Sequence, residues 1–598
     1  MHNTSWLVVL AVSGIGLVYA ARQPEPAKPA AGTTTAIHNV RLIDGTTVTA
    51  NATVVFDESG IVSQCVDCPA PAGARVIDGT GRTLLPGLID AHTHSIGDSL
   101  ERALVFGVTT EIDMFTAPSF AADRRAEQKR GDAFNRADLF SAGYLVTVAG
   151  GHGTEYGMPV PTFAKGMDAQ QFIDDRLAEG SDFIKLVYDD GAAFRLSFKS
   201  LDATDLAALI AAAKKRGKLA VVHVSTSKDA RVAVAAGADG LVHTWGDDAA
   251  DDALFADIAR RGVFVVPTLT VLGSIAGGRE SLSVATHRTL APFVTANDRA
   301  GLTAQFPASS HQTSALTNAR NNVRRLRALQ VAVLAGTDAP NPGTAHGISI
   351  HREIELLVES GLTPVEALQA ATSVPARAFG LRDRGRIAPG YRADLLLVSG
   401  DAASDITATR NIVTVWKGGR EVTRTVAANI TAAAVTLTDG LVSDFEMDLR
   451  SGFGTEWITS TDQMMGGKST ARMSLVSGGT APSTRALQVD GEIAIGQMYP
   501  WAGAMVLTSR TPMAPIDVRP LRQLSFALRS DGPLRLMVFA TSRGQIPVSK
   551  DLPPAKDWTV MTVTFAELGV DGSDLQGFLI SGVAGTFSYQ LDDVRLRP

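Results

Sequence analysis

The chain has 598 residues, of which 45% are hydrophobic and 19% charged, and its formal net charge is −6 at pH 7. That is the composition of a soluble globular protein, and the acidic balance offers no basic field to nucleic acid or to an anionic lipid surface. At the usual domain size the length predicts roughly three or four structural units, with an α/β barrel able to take up more than half of it.

The apolar run 6–20 ends at Val18-Tyr19-Ala20 and leads into the Pro/Ala-rich stretch 23–31. The pattern predicts a secretory signal peptide at 1–21 and a flexible segment at 22–35, hence an exported protein, periplasmic or extracellular. The run is shorter than the about 20 residues of a bilayer span, so no membrane span is expected after signal removal. Cys65 and Cys68 are the only cysteines. They are too few for a four-cysteine zinc site, and in an oxidising compartment a local disulfide is the expected state.

From 36 to 83, short β-branched runs (37–43, 47–56, 60–65) are separated by Gly, Asp and Asn, the pattern of hairpin strands. After Leu84 short apolar strands alternate with amphipathic stretches such as 202–216 and 227–236, which is the signature of parallel βα units. Eight strands are predicted, at 85–91, 108–113, 139–143, 183–187, 219–223, 240–243, 263–267 and 331–336. The fold class is therefore α/β, a (β/α)8 barrel over 84–384. The gap 268–330 is too long for an ordinary βα connection and predicts extra helices. Helices are also expected at 351–360 and 363–371, the latter with Thr363 as N-cap and Glu366 in the capping-box position.

Strands return over 385–422, and with 36–83 they are expected to build a small composite β-sandwich flanking the barrel. An Ala/Thr-rich linker, 423–443, then precedes 444–598, where helical periodicity is nearly absent and alternating strands (486–489, 523–527, 534–539, 587–591) predict an all-β jelly roll.

The chemistry lies in the strand ends. His92 and His94, at i and i+2 on a strand, point to one face, and at the C-terminal end of a first barrel strand both imidazoles reach the barrel mouth. His223 ends the fifth strand, His243 the sixth, and Asp338 follows the eighth. Lys185 sits in the apolar run Phe183-Ile184-Lys185-Leu186-Val187, where an unpaired ammonium is expensive. Four histidines, an acid and a buried lysine thus converge on one rim.

These residues, with Pro86-Gly87-Leu88-Ile89-Asp90-Ala91-His92-Thr93-His94, Gly361-Leu362-Thr363-Pro364-Val365-Glu366-Ala367-Leu368, Ala371-Thr372, and Gly385-Arg386-Ile387-Ala388-Pro389-Gly390 followed by Ala393-Asp394-Leu395, resemble the metal-dependent amidohydrolase superfamily in its imidazolonepropionase and Xaa-Pro dipeptidase branch. The resemblance spans 36 to about 422. It implies two divalent cations, zinc foremost, with His92, His94 and Asp338 holding one, His223 and His243 the other, and Lys185 bridging them as a carbamate formed with carbon dioxide. It further implies cleavage of a C–N bond in a small amide or dipeptide-like substrate by a hydroxide shared between the metals, with Asp338 as ligand and proton shuttle. His152, in a Gly-rich loop, and Tyr188 are expected to meet substrate. Asp189 and Asp190 depart from the Gly-rich continuation of dipeptidase relatives, which weighs against a dipeptide. His287, His311, His346 and His351 read as surface, lid or helix residues.

Asp444-Phe445-Glu446, Trp457, 462–469 and Gly491-Glu492-Ile493 resemble the complex I intermediate-associated protein 30 family, whose fold is galactose-binding-like. That fold is compatible with a glycan or protein contact and implies no catalysis; a homo-oligomer is compatible with the whole. Two alternatives compete with the binuclear hydrolase: a mononuclear cyclic-amide or imidazolone hydrolase or deaminase with an ordinary Lys185, and a non-catalytic binding protein on a degenerate barrel.

Overall fold

The computed structural model describes residues 34–154, 160–194, 197–247, 251–306, 312–426, 433–434, 437–462, 468–494, 500–509, 515–543 and 547–598. The expected signal peptide and most of the segment 22–35 lie outside them. The chain divides into two compact units near residue 427. Among the described residues no helix is long and apolar enough to cross a membrane.

In the first unit an eight-stranded mixed sheet joins the two flanks of the parallel βα region. Its order is Arg420–Glu421, Ile412–Lys417, Leu395–Ser399, Arg82–Pro86, Thr35–Ile43, Val48–Asp57, Gly60–Val66, with Arg75–Asp78 beside Thr35–Ile43. Alternating apolar side chains bury Ile37, Val54, Phe56, Leu84, Leu395, Leu397 and Trp416 in one cluster. Phe56 meets Trp416 edge to face, ring centroids 5.5 Å apart. Cys65 and Cys68, at the end of Gly60–Val66, are disulfide-bonded.

The strand expected at 85–91 is two strands. Arg82–Pro86 pairs with Leu395–Ser399 in the flanking sheet, and Leu88–Thr93 pairs with Val108–Asp113. The break falls at Gly87, where any Cβ would lie 2.3 Å from Thr109 Oγ1. A buried ion cluster ties the flanking sheet to the parallel strands: Lys417 Nζ is 2.8 Å from Asp138 and 3.1 Å from Asp394, and Arg384 reaches Asp138 at 2.7 Å. Asp138 belongs to the parallel strand Asp138–Ser141, whereas Asp394 and Lys417 belong to the flank, so losing one partner would leave an uncompensated charge in the interior.

Two parallel sheets carry the remaining strands. One has the order Leu88–Thr93, Val108–Asp113, Asp138–Ser141, and the other Ile184–Val187, Ala220–His223, Gly240–Val242, Phe264–Val266. Isolated parallel bridges continue the pairing, Val146 with Leu186, Val265 with Val333 and Thr93 with Ala339. Between sheets, Val187 N donates to Val146 O at 3.0 Å, Leu334 N to Val265 O at 2.9 Å and Ala91 N to Ala335 O at 2.8 Å. The arrangement is TIM-barrel-like. The eighth segment, expected as a strand at 331–336, is no continuous strand and pairs through these isolated bridges.

Helices follow the strands. Ala203–Lys215 starts on Asp202, whose carboxylate accepts from Asp205 N, and Ser227–Ala236 starts on Thr226 and ends at Gly237. The 268–330 gap contains Leu269–Ile275, Leu282–Ala285, Ala296–Thr303 and Ala315–Ala328. Pro364–Ala370 opens with the complete Thr363/Glu366 capping box.

The second unit is all-β, with two main sheets around Trp457, Leu487, Phe526, Val538, Phe578 and Tyr589, and no α-helix among its described residues. Tyr589 keeps its hydroxyl satisfied by donating to Ile580 O at 2.7 Å and accepting from Ala504 N at 3.1 Å.

Candidate metal centre

Strand Leu88–Thr93 is buried along its whole length, so the side chains at its C-terminal end enter a dry environment. Asp338 is carried up to it by the eighth segment, its N–H donating to His92 O at 2.8 Å. This close approach needs Gly336, where a Cβ would stand 2.8 Å from His92 Cβ. Asp338 Oδ1 then lies 2.9 Å from His94 Nε2 and 3.2 Å from His92 Nε2, and Oδ2 lies 4.0 Å from His243 Nε2. The ligand atoms of His92, His243 and Asp338 all fall within 4.8 Å of one another.

The imidazoles form a continuous row. Ring centroids are 5.4 Å apart for His92 and His94, 4.8 Å for His92 and His243, 4.6 Å for His243 and His223, and 4.8 Å for His223 and His152. Thus the expected residues His92, His94, His223, His243 and Asp338 come together, and His152 joins them from its loop with Phe198 at 5.4 Å. Tyr188 is half-buried and packs against the main hydrophobic core of this unit. Lys185 is buried within Ile184–Val187.

Electrostatics suit a cation. Burial lowers the pKa of His92 to about 3 and of His223 to about 4, and pushes His243 well down, so the rings are neutral and can donate lone pairs. His92 Nδ1 is buried without a hydrogen-bond partner and Nε2 meets only Asp338, at 3.2 Å, a costly state that a metal ligand relieves. Burial also lowers Lys185 to about 7, with Asp338 and Asp113 pulling the other way. Burial raises Asp338, but the surrounding His92, His94 and His243 outweigh it and hold the carboxyl well below the usual carboxylate range.

Partners of the remaining ring nitrogens decide which atoms face the centre. His223 Nε2 is 3.2 Å from Asp189 Oδ2, which also accepts from Ser225 Oγ at 2.7 Å. His243 Nδ1 is 2.6 Å from Thr268 Oγ1. These contacts leave Nδ1 of His223 and Nε2 of His243 for a ligand. Sequence reading missed both partners, though Asp189 lies only two residues past the Lys185 strand. Beneath the site, Asp90 accepts from Thr337 N at 3.0 Å and Thr337 Oγ1 at 2.7 Å, and burial with nearby Glu111 raises it to about 8.

His346 is buried, with Nδ1 2.9 Å from Glu111 Oε1, and His351 stands on the expected helix, observed as Ser349–Glu359, fully buried with Nε2 3.0 Å from Phe106 O. His287 pairs with Thr289 Oγ1 at 2.9 Å, and His311 lies outside the described residues.

Residues 175–422 match the amidohydrolase family. The chain is similar to an imidazolonepropionase of Deinococcus deserti, 43% identical over 103 residues that make up 17% of this chain and 26% of that protein. An adenine deaminase of Methanothrix thermoacetophila is 48% identical over 56 residues, 9% of this chain and 10% of that protein. The matches therefore span about a quarter or less of these relatives' length. In fold, the chain is similar to a Xaa-Pro dipeptidase crystallised with bound methionine, at a TM-score of 0.53 and 22% identity over 65% of this chain and 99% of that one.

Proposed function

We propose that the chain is an exported, metal-dependent amidohydrolase that cleaves a C–N bond in a small amide, on a closed (β/α)8 barrel. The observation that carries this reading is the largely buried group of His92, His94, His223, His243 and Asp338, with the buried Lys185 near enough for its charge to act on them. The amidohydrolase match over 175–422 supports it, as do the bridges between the two parallel sheets. Export rests on the apolar run 6–20, outside the described residues. Residues 444–598 are proposed as a non-catalytic module related to the complex I intermediate-associated protein 30 family.

His92, His94 and Asp338 would hold one divalent cation, most simply zinc, and His223 and His243 a second, with carboxylated Lys185 shared between them. When bound, such ions lower the pKa of water from about 15.7 to about 7 and polarise a substrate carbonyl. The chain's residues supply the rest. Asp338, ionised through the whole neutral range, accepts a proton at its carboxylate and returns it to the departing nitrogen, so the amine leaves neutral. His152 and Tyr188 orient the substrate above the row of imidazoles.

Lys185 reacts as its neutral amine: nitrogen attacks the carbon of carbon dioxide, a carbamic acid forms, and it loses a proton to give the anionic carbamate. With an amine pKa of about 7, half of the metal-free protein is reactive at that pH and about a tenth one unit lower. Bicarbonate-dependent activation is therefore expected to rise through pH 7 and to fall away below it, measured by preincubation at each pH and assay at one common pH. Activation independent of pH from 5.5 to 8.5 contradicts the carbamate.

The function itself is tested by amine release from a panel of N-acyl amino acids, dipeptides and cyclic amides, with zinc and bicarbonate supplied. Turnover of at least one amide class is expected, and none across the panel contradicts the proposal. The tight grouping of His92, His243 and Asp338 favours one second reading, a mononuclear hydrolase or deaminase of a cyclic amide or amidine, for which one ion per chain suffices.

A further inference from the structure

Three non-glycine residues around the centre have positive φ: His243 at 22°, Thr268 at 52° and Asp338 at 60°. Such backbone is unfavourable, above all for β-branched threonine, and persists only where the surroundings over-determine it. The turn Thr268-Leu269-Thr270 connects them. Thr268 Oγ1 lies 2.6 Å from His243 Nδ1, and Thr270 Oγ1 is 3.2 Å from the carbonyl of Thr337, the residue before Asp338. What holds this turn is Glu353, fully buried on the helix Ser349–Glu359. Its carboxylate accepts from Leu269 N at 2.9 Å, from Thr270 N at 2.8 Å and from Thr270 Oγ1 at 3.0 Å. The bonds satisfy the first two N–H groups of the helix Leu269–Ile275, which have no partner within that helix and which Thr268 does not cap with its side chain.

We propose that Glu353 is a positioning residue of the metal centre: through the Thr268–Thr270 turn it fixes the ring orientation of His243 and the backbone that presents Asp338. The inference rests on the metal-centre reading above. With Thr268 Oγ1 on Nδ1, Nε2 is the nitrogen of His243 left facing Asp338, so the clamp sets which ring nitrogen is presented as well as its position.

The test is Co2+ binding to the full chain, read as affinity and as the visible d–d spectrum, for wild type, Glu353→Gln, Thr268→Val and Thr268→Ser, each checked for folding by circular dichroism. Glu353→Gln and Thr268→Val are expected to lose about 10- to 100-fold in Co2+ affinity and to shift the visible bands, while Thr268→Ser stays within about threefold of wild type. Wild-type affinity and spectrum in folded Glu353→Gln and Thr268→Val overturn the inference. Should Glu353→Gln fail to fold, the threonine pair decides, and Val and Ser behaving alike overturns it. Cobalt binding with wild-type affinity and spectrum in all four chains defeats only this inference, whereas its absence from wild type defeats the metal-centre reading with it.

Discussion

Asp338→Asn is expected to lower kcat by roughly 10³-fold while KM stays within about threefold, because a side chain that moves the reacting proton contributes to the transition state rather than to substrate binding. Asparagine is the informative replacement. Asp338 has φ 60°, and asparagine is among the few residues that tolerate left-handed backbone, so the turn and its bond to His92 O survive. Alanine would mix a backbone penalty with the chemical loss. The carboxamide cannot accept and return the proton at neutral pH. Steady-state kinetics on amide substrate, with metal content measured in parallel, separates loss of the proton carrier from loss of a ligand. Turnover within tenfold of wild type contradicts the assigned role.

Lys185→Met is expected to remove roughly 10²- to 10⁴-fold of activity together with the response to bicarbonate, since an apolar side chain of similar length cannot become an anionic ligand. The same substitution should stabilise the metal-free protein. A lysine whose pKa falls from 10.5 in the unfolded chain to about 7 in the fold binds fewer protons when folded between those values. Stability therefore rises with pH across that window, and the burial cost is fully present below pH 7. Thermal melting of metal-free wild type and Lys185→Met should show the gap widening from pH 10 down to pH 7. Partial recovery of Lys185→Ala activity by short-chain carboxylates would replace the missing bridge from solution. A Lys185→Met protein with wild-type turnover shows that no carbamate is needed.

Much of the centre was legible in the sequence because strand geometry converts spacing into direction. His92 and His94 are two residues apart on a buried strand, and His223, His243 and Asp338 each stand at or just past a strand end. Other features depend on which segments meet, and that has no local signature. Thr268, Asp189 and Glu353 are ordinary polar residues in the sequence, and only the fold places them on His243, on His223 and on the turn between. The burial of His346 and His351 has no local signature either: it depends on Glu111 and the Phe106 carbonyl, far off in the sequence, closing over their rings. The strand expected at 85–91 runs across the end of Arg82–Pro86 and the start of Leu88–Thr93, and the crowding of Gly87 against Thr109 marks the break.

The central claim is that six side chains, far apart along the chain, surround a pair of cations. Zinc per chain, measured by elemental analysis after loading with zinc and bicarbonate and removal of free metal, tests it most directly. Two ions per chain are predicted, falling when His92 or His243 is replaced by alanine; a protein that retains no zinc contradicts the account.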